Sequence, residues 1–430
     1  MTNATTSEPP SSSLDVMHLS CLLGDPAVGP DGRRIGKLDD VIVRLGDNGY
    51  PPLTGLVLNV SGQRRFVHMH DVVALDGDEV RVSRDADGLG PFERRPGEVL
   101  LAKDVAGRHL IHLKGARLVT ANEIELACVG GRWLVIGADP TSKPVLRRLL
   151  PRAARDRVEA GGLVDWAEIE PFVSHVPTAR LRIPLRQLSR LHPAQLADLV
   201  EAASHDEGEE ILAAVGGDSE LEADLFEELD IGHQVEFLRS RSDDEAARVL
   251  AAMAPDDAVD LLEELDQERR LPVLQRLPAG HQRKLRSLLS YNSETAGGLM
   301  NPDFISVDAA RSVEQTLTAV RTASLAPEAS GVVLVVDEAG HLAGTVLVVE
   351  LLRADPAAAV GTVAHLEPVA LTPDADVHEV SRAMSDYNLS VLPVVDSQRK
   401  VLGMISVDDV LELLLPEGWR RQYGMSSSAG

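Results

Sequence analysis

Two consecutive segments between Phe304 and Leu415 repeat one another, and this repeat restricts the fold of the chain more than any other feature. The matching blocks are Ile305–Val307 with Ser312–Val313 and Val369–Leu371 with Asp376–Val377, then Leu334–Asp337 with Gly344 and Pro393–Asp396 with Gly403. The first copy has a short insertion around Ala326–Ser330. Each copy has the pattern strand, helix, strand, turn, strand, helix. The sequence therefore predicts two units of one fold in tandem.

A helical period precedes this repeat, from Ile183 to Ser290. Pro193, Pro255 and Pro278 each stand at the start of a short leucine-striped segment, where the missing N–H of proline is harmless. Single helices of this length are marginal alone, so stacking must bury their apolar faces. We therefore expect a stacked helical array here.

The N-terminal half has a third pattern, in which short β-branched runs alternate with turn signals. Gly32–Val41 opens one such unit, and a similar stretch from Gly115 to Ile124 belongs to a second. The predicted domains are a tail at 1–13, β-barrel-like units at 14–90 and 91–155, a helical repeat domain at 183–300, the two repeat units at 301–355 and 360–416, and a tail at 417–430.

The excess negative charge of the chain lies in its second half. Residues 191–300 hold 25 acidic and nine basic residues, and residues 301–430 hold 18 and eight, whereas residues 1–190 are nearly neutral. Because an acidic surface repels the phosphates of nucleic acids, we expect no nucleic-acid partner. No signal peptide and no uncharged apolar run of about 18 residues is present, so we also expect no transmembrane segment. The two cysteines lie too far apart in sequence to indicate a metal site.

These patterns resemble known families. Leu392–Asp396 and Gly403–Asp409 resemble a CBS domain, and the repeat therefore resembles a tandem CBS pair. Together with Pro255–Glu264 and the junction Tyr291–Met300, it resembles the cytosolic region of MgtE-type magnesium channels. The Gly32–Val41 hairpin resembles PRC-barrel domains. The resemblance implies a multidomain α+β chain with two small N-terminal β-barrels, a helical-repeat superhelix and a tandem CBS (βαββα) pair. Because the chain ends at Gly430, where pore helices would begin, we expect no transport activity of its own.

Carboxylates are the candidate metal ligands. Spacings of three and four residues bring several of them towards one face of a helix. The candidates are Asp256, Asp257, Asp260, Glu263 and Glu264 in the helical domain, and Asp408, Asp409 and Glu412 at the last helix of the repeat. Such residues also simply complement the dipole of a helix N-terminus. Mg²⁺ prefers oxygen ligands and needs only one or two direct carboxylates. The resemblance implies a Mg²⁺ that bridges the helical domain and the CBS pair and favours a compact, closed state.

The second repeat also carries a candidate nucleotide site. The CBS resemblance implies that Gly403, Ser406 and Asp409 form a motif that places a hydroxyl and a carboxylate against a ribose, so ATP or AMP is a candidate ligand. The first repeat has Gly344, Leu347 and Glu350 at the matching positions and therefore lacks the hydroxyl. Asp409 belongs to both interpretations.

Other features favour binding over catalysis. No catalytic triad, phosphate loop or dinucleotide fingerprint stands out, so we expect no enzyme and no catalytic residues. His68 and His70 alternate along a predicted strand without an apparent third ligand, and a surface pair is the preferred interpretation.

The leading hypothesis is a Mg²⁺-responsive regulator that is cytoplasmic, either free or bound peripherally at the inner face of the membrane. Its expected partners are a second copy of the chain, through the CBS domains, and a membrane transporter. The alternatives are an adenine-nucleotide-sensing module and a ligand-free structural adaptor.

Overall fold

A computed structural model describes residues 16–45, 49–76, 78–141, 162–172, 176, 188–323 and 331–414, apart from the side chain of Glu412. The predicted tails and the insertion at Ala326–Ser330 lie outside these residues. The chain divides into two compact units, Met1–Leu221 and Glu222–Gly430. It is a mixed α+β protein, with a β-rich N-terminal region, a helical region and the tandem repeat.

The β-rich region contains fourteen short strands among its described residues. They are β1 (Val16–His18), β2 (Pro26–Val28), β3 (Arg34–Arg44), β4 (Leu53–Val60), β5 (Gln63–His68), β6 (Val72–Leu75), β7 (Val80–Val82), β8 (Glu98–Leu100), β9 (His109–His112), β10 (Arg117–Thr120), β11 (Glu123–Val129), β12 (Arg132–Asp139), β13 (Val164–Asp165) and β14 (Ile169–Pro171). A four-residue helix, α1 (Leu19–Leu22), follows β1. The strands form three sheets, in the orders β5-β4-β3-β2-β7-β6, β1-β11-β12-β13 and β10-β9-β14.

The prediction of two closed barrels is wrong, because the strands of the described region form open sheets. The halves of the region exchange strands: β1 pairs with β11, and β8 pairs with the C-terminal end of β3. The long strand β3 has two register shifts against β4, which let its two ends take different neighbours. One continuous apolar core runs from Leu19 to Val176 through both halves. Strand exchange between halves could not be predicted, because each half shows a complete alternating pattern by itself.

A buried carboxyl in β14 makes the stability of this region depend on pH. Glu170 is 8% exposed, and burial raises its pKa from 4.5 to about 7. Between these values the folded chain keeps a proton that the unfolded chain has released, so stability falls as the pH rises through this window. The full difference is at most about 3 kcal/mol.

We expect Glu170→Gln to remove this slope and to be more stable than the wild type at pH 8 by about 1–3 kcal/mol. Urea unfolding followed by tryptophan fluorescence measures it, since Trp133 and Trp166 lie in this region. Glu93, an exposed residue of the same β-rich region, gives the control Glu93→Gln, which should keep the wild-type slope. Equal slopes in the wild type and Glu170→Gln would contradict the assignment.

The helical region consists of short helices of nine to eleven residues followed by a shorter one. They are α2 (Pro193–Ala202), α3 (His205–Val215), α4 (Ser219–Glu228), α5 (Ile231–Arg239), α6 (Asp243–Ala252), α7 (Pro255–Glu264), α8 (Gln267–Arg276), α9 (Ala279–Leu288) and α10 (Ala296–Leu299). Pro193 and Pro255 occupy first-turn positions, as predicted, whereas Pro278 stands one residue before its helix. In the second unit, helices two apart in the chain contact each other: α5 with α7, α6 with α8, and α7 with α9. The superhelical form of the array stays a prediction.

The tandem repeat has the predicted order of elements, except that the first strand predicted for the second copy, Val369–Leu371, is reduced to a single bridge between Leu371 and Val394. The first copy contains β15 (Ile305–Asp308), α11 (Val313–Thr322), β16 (Val332–Val336), β17 (Leu342–Leu347) and α12 (Val348–Leu351). After β18 (His365–Leu366), the second copy contains α13 (Val377–Tyr387), β19 (Val391–Val395), β20 (Val401–Ser406) and α14 (Val407–Leu414). Side chains from β16, β17, β19 and β20 share one apolar cluster, so the two copies bury a common core.

Local details explain why the two copies match in sequence. Ser312 and Asp376 both cap the helix that follows with a reciprocal capping box. Asp337 and Asp396 both accept hydrogen bonds from two backbone N–H groups of the turn that follows, at 2.8–2.9 Å. The matched residues are therefore caps and turn formers of one fold.

The last strand of each copy pairs with the segment of chain that precedes the other copy. Strand β17 pairs with β18, which leads into the second copy. Strand β20 pairs with Asn301, which leads into the first copy, through two backbone hydrogen bonds between Asn301 and Met404 of 2.8 and 3.0 Å. The copies are therefore crossed at their edges.

Candidate functional site

The first turn of α7 supplies one side of the candidate site. Pro255 begins the helix, and the preceding Ala254 has no side chain with which to cap it. A carboxylate oxygen of Glu227, from α4, accepts the backbone N–H of Ala254 at 2.5 Å. The orphan N–H groups and the dipole of this helix end attract negative charge, which places the carboxylate of Glu227 beside that of Asp256.

The first turn of α14 supplies the other side. The backbone N–H of Ser406 donates to the Oδ2 atom of Asp409 at 2.9 Å, and the backbone N–H of Asp409 donates to the hydroxyl of Ser406 at 3.3 Å. This is a reciprocal capping arrangement, with Asp409 in the role of the third helical residue. It fixes the carboxylate of Asp409 at the start of α14.

Asp256 has a strongly raised pKa. The residue as a whole is half-buried, but its Oδ1 atom is sealed from solvent and has no hydrogen-bond partner among the described residues. Burial, together with the nearby charges of Asp409, Glu227 and Asp260, raises the pKa of Asp256 to about 8. Burial also raises the pKa of Asp409, with a contribution from Asp408, while its bonds to Ser406 act in the opposite direction. The charges of three other carboxyl groups therefore act on the poorly solvated carboxyl of Asp256.

This arrangement fits a hard divalent cation. A buried carboxylate oxygen without a partner is costly, and so is a cluster of like charges that water cannot screen. A cation at this place would satisfy the orphan oxygen of Asp256 and offset the repulsion from Asp409. Mg²⁺ takes oxygen ligands, uses one or two carboxylates directly and keeps several waters. The residues present therefore fit Mg²⁺ chemically.

The other predicted ligands lie at different places. Asp257 is half-buried in the same first turn. Glu263 and Glu264 are exposed near the opposite end of α7, and Glu264 stands about 12 Å along the axis from Asp256 at about 1.5 Å per residue. Asp408 is exposed at the start of α14, and the side chain of Glu412 lies outside the described residues. Among the predicted residues, Asp260 and Asp409 are the ones whose charges act on Asp256.

Sequence reasoning missed Glu227. This residue lies 29 positions before Asp256 on another helix, in a run of acidic residues that resembles any solvated helix face. One signal was available, namely that Ala254 cannot cap α7 itself, so a carboxylate from elsewhere was required.

The predicted nucleotide residues take different roles. A cavity of about 150 Å³ lies between the two copies of the repeat. Its lining residues are Gly331, Val332 and Leu347 from the first copy, and Ser390, Val391, Ser406, Val407 and Asp408 from the second. Ligand pockets usually measure about 300–1,000 Å³, so an adenine nucleotide would require this cavity to widen.

Gly403 is required for packing. A Cβ atom at this position would lie 2.8 Å from the backbone oxygen of Asn301 and 2.9 Å from the Cγ atom of Met300. Gly344 has the same close approach to His365 in the first copy. The glycine of the motif therefore permits the strand pairing that crosses the two copies.

In the first copy, Glu350 stands at the position that matches Asp409, and its carboxylate contacts a histidine. Glu350 accepts from the backbone N–H of Leu347 at 3.0 Å and contacts the Nε2 atom of His365 at 2.8 Å. These bonds lower the pKa of Glu350, with the histidine as the largest cause. The two copies therefore differ in electrostatics as well as in the missing hydroxyl.

The helical region and the second copy of the tandem repeat each match a known family model. The family model of the MgtE intracellular N domain matches residues 191–294, and that of the CBS domain matches residues 360–416. The chain thus contains an MgtE N domain followed by a CBS pair, of which the second copy matches the family model.

Magnesium transporter MgtE of Thermus thermophilus is 37% identical over 134 residues, which are 31% of this chain and 30% of that protein. Magnesium transporter MgtE of Enterococcus faecalis is 28% identical over 143 residues, or 33% of this chain and 32% of that protein. The crystal structure of the cytosolic domain of the Mg²⁺ channel MgtE in complex with ATP is 28% identical, covers 53% of this chain and 92% of that chain, and has a TM-score of 0.49. The chain spans about a third of the length of these two transporters, and it is related to their cytosolic region.

Within the part of the chain that the structure describes, no helix is both long enough and apolar enough to cross a lipid bilayer. The predicted PRC-barrel identity of the β-rich region has no support from the family matches, which begin at residue 191, and it stays a prediction.

Proposed function

We propose that the chain is a Mg²⁺-responsive regulatory protein that acts on magnesium transport through a partner in the membrane. The observation that carries this proposal is the sealed, unpartnered Oδ1 atom of Asp256 facing the charge of Asp409. Without a cation, the two helix ends repel each other or one carboxyl must keep a proton. With a cation, both carboxylates ionise and the ends of α7 and α14 are drawn together.

The regulatory effect follows from a shift between two arrangements of the helical domain and the CBS pair. A ligand shifts such an equilibrium only by its differential affinity for the two states. A cation held by Asp256 on one side and Asp409 on the other binds only where both are close, so it favours the compact state. The β-rich region would pass this change to the partner. We place the protein in the cytoplasm, because the magnesium transporters to which it is related match through their cytosolic region.

A homodimer also belongs to this proposal. Helix α14 and the residue that follows α12 expose large apolar side chains, namely Leu411, Leu413 and Leu414 in α14 and Leu352 after α12. Exposed leucines grouped on two helices of one domain are typical of an interface. A second copy of the CBS pair is the proposed occupant.

A nucleotide-sensing role is the second candidate, and the cavity between the repeats supports it, because Ser406 and Asp408 both line it. The two ligands depend on different members of one aspartate pair: Asp408 borders the cavity, whereas Asp409 faces Asp256. The pair therefore provides matched variants.

We expect Mg²⁺ binding, measured by calorimetry, to be lost in Asp409→Asn and kept within about threefold in Asp408→Asn. ATP and AMP, titrated in the absence of Mg²⁺, test the second candidate, since binding that weakens in Asp408→Asn would support a nucleotide site in the cavity. Mg²⁺ heat that survives in Asp409→Asn would contradict the proposed metal site. If neither ligand binds the wild type, the ligand-free adaptor is the correct interpretation.

A further inference from the structure

Two imidazole rings converge at the end of β5, in the β-rich region and apart from the carboxylate site. His68 is the last residue of β5, and the turn Met69–Asp71 that follows brings His70 back over it. The Nδ1 atoms of the two rings are 2.7 Å apart, and the ring centroids are 4.2 Å apart. Both residues are exposed. The turn, and not the alternation along a strand, brings the two histidines together.

The hydrogen bonds around the pair indicate where the protons lie. The backbone N–H of His70 donates to the Nδ1 atom of His68 at 3.3 Å, so this nitrogen carries a lone pair. The Nε2 atom of His70 is 3.3 Å from the Oδ1 atom of Asp71. An ionised carboxylate only accepts, so Nε2 carries the hydrogen and the Nδ1 atom of neutral His70 also presents a lone pair. Two such nitrogens at this separation repel unless a proton or a metal ion lies between them, and a metal there would take the lone pair of His68 from its weak 3.3 Å hydrogen bond.

Asp71 is itself held in place. It is 9% exposed, and its Oδ2 atom is 3.0 Å from the Nε atom of Arg84. The hydroxyl of Ser83 donates to its Oδ1 atom at 3.4 Å. Histidines that bind metals commonly donate their second ring N–H to such a carboxylate, which fixes the tautomer and orients the ring. Asp71 thus has the position of a residue that orients His70 towards a metal.

We propose that His68 and His70 bind a divalent transition-metal ion, with Cu²⁺ preferred over Ni²⁺ and Zn²⁺. With metal–nitrogen bonds of about 2.0–2.1 Å, two ligands at a right angle stand about 2.8–3.0 Å apart, and two at a tetrahedral angle about 3.3–3.4 Å. The observed 2.7 Å is closer to the right-angle arrangement. Square-planar and tetragonal sites with nitrogen and oxygen ligands are typical of Cu²⁺ and Ni²⁺, and Cu²⁺ leads the general order of affinity.

Water would complete the coordination, because the exposed rings leave the remaining positions open to solvent. This metal class differs from the hard, oxygen-preferring Mg²⁺ of the carboxylate site. The inference is independent of the proposed function, since no residue is shared between the two sites.

The test is a Cu²⁺ titration of the intact chain without an affinity tag, followed by calorimetry and by electron paramagnetic resonance. We expect one equivalent of Cu²⁺ bound through two imidazole nitrogens in the wild type. His68→Ala and His70→Ala should each weaken this equivalent at least tenfold. Asp71→Asn should keep the stoichiometry and weaken the affinity about tenfold, as for other residues that orient a metal-bound histidine. Thermal melting of each variant checks that it is folded.

The exposed histidine of α13 provides the control His378→Ala, which should bind Cu²⁺ like the wild type. Excess Mg²⁺ should not displace the bound Cu²⁺. If the wild type, His68→Ala and His70→Ala bind Cu²⁺ with the same stoichiometry and affinity, the pair holds a shared proton only and the inference is overturned.

Discussion

Asp256→Asn is expected to abolish the stabilisation of the protein by Mg²⁺. In the wild type, a cation that binds the folded chain alone raises the free energy of unfolding by about 2.7 kcal/mol at a hundred times its dissociation constant. The amide offers no negative charge to the cation, so this gain should fall below about 0.5 kcal/mol. Melting curves with and without 10 mM Mg²⁺ measure the difference. This concentration is about a hundred times the dissociation constant if that constant is about 0.1 mM.

The same variant should be more stable than the wild type when Mg²⁺ is absent. The folded wild type keeps a proton on Asp256 up to a pH of about 8, whereas the unfolded chain releases it near 3.8. Stability without metal therefore falls as the pH rises through this interval, and Asp256→Asn removes this fall. At pH 8 we expect a gain on the order of 1–3 kcal/mol. Because the cation requires the ionised carboxylate, the effect of Mg²⁺ on the wild type should grow with pH.

Glu264→Gln is the matched control for Asp256→Asn. It removes one charge from the same helix, at an exposed position near the other end of α7. Its Mg²⁺ response should equal that of the wild type. A normal Mg²⁺ shift in Asp256→Asn, or an equal loss in Glu264→Gln, would show that the effect comes from the total charge of the acidic surface and not from a defined site.

Gly403→Ala is expected to destabilise the CBS pair by about 2–4 kcal/mol. The new Cβ atom would lie 2.8 Å from the backbone oxygen of Asn301, so the strand pairing between Asn301 and Met404 must open. Overpacking of this kind costs about 1–3 kcal/mol, and broken backbone hydrogen bonds add to it. Thermal unfolding followed by circular dichroism measures the loss.

Gly280→Ala makes the same chemical change in a different setting. Nothing lies within 4 Å of the added Cβ atom in α9. Alanine favours the helix by about 1 kcal/mol over glycine, so this control should be neutral or stabilising. Gly344→Ala, which meets the backbone oxygen of His365 at 2.9 Å, should resemble Gly403→Ala. Identical melting temperatures for Gly403→Ala and Gly280→Ala would refute the packing role.

The sequence predicted best those features that depend on residues close together in the chain. The repeat was visible because capping residues such as Ser312 and Asp376 act on the helix that they begin. Asp256 and Asp409 were predicted as ligands because each stands in the first turn of a helix with other carboxylates three or four positions away. Their mutual influence was an expectation from family resemblance, and the structure adds the physical reason for it.

Long-range features could not be predicted in the same way. The pairing of β1 with β11 joins residues more than a hundred positions apart, and no local signal marks it. Glu227 reaches the end of a helix that it does not belong to. His68 and His70 come together because a short turn follows the strand β5. In the sequence the two residues alternate, and this pattern predicts an ordinary strand.

The crossed edges of the CBS pair determine where the chain can be cut. Asn301 precedes the first strand of the first repeat, but its backbone completes the sheet of the second repeat. An excised fragment that begins at Ile305 would leave one edge of β20 open to pairing with other chains. A fragment that begins before Met300 would keep that edge covered, so a cut at the first strand of the repeat is the choice that invites aggregation.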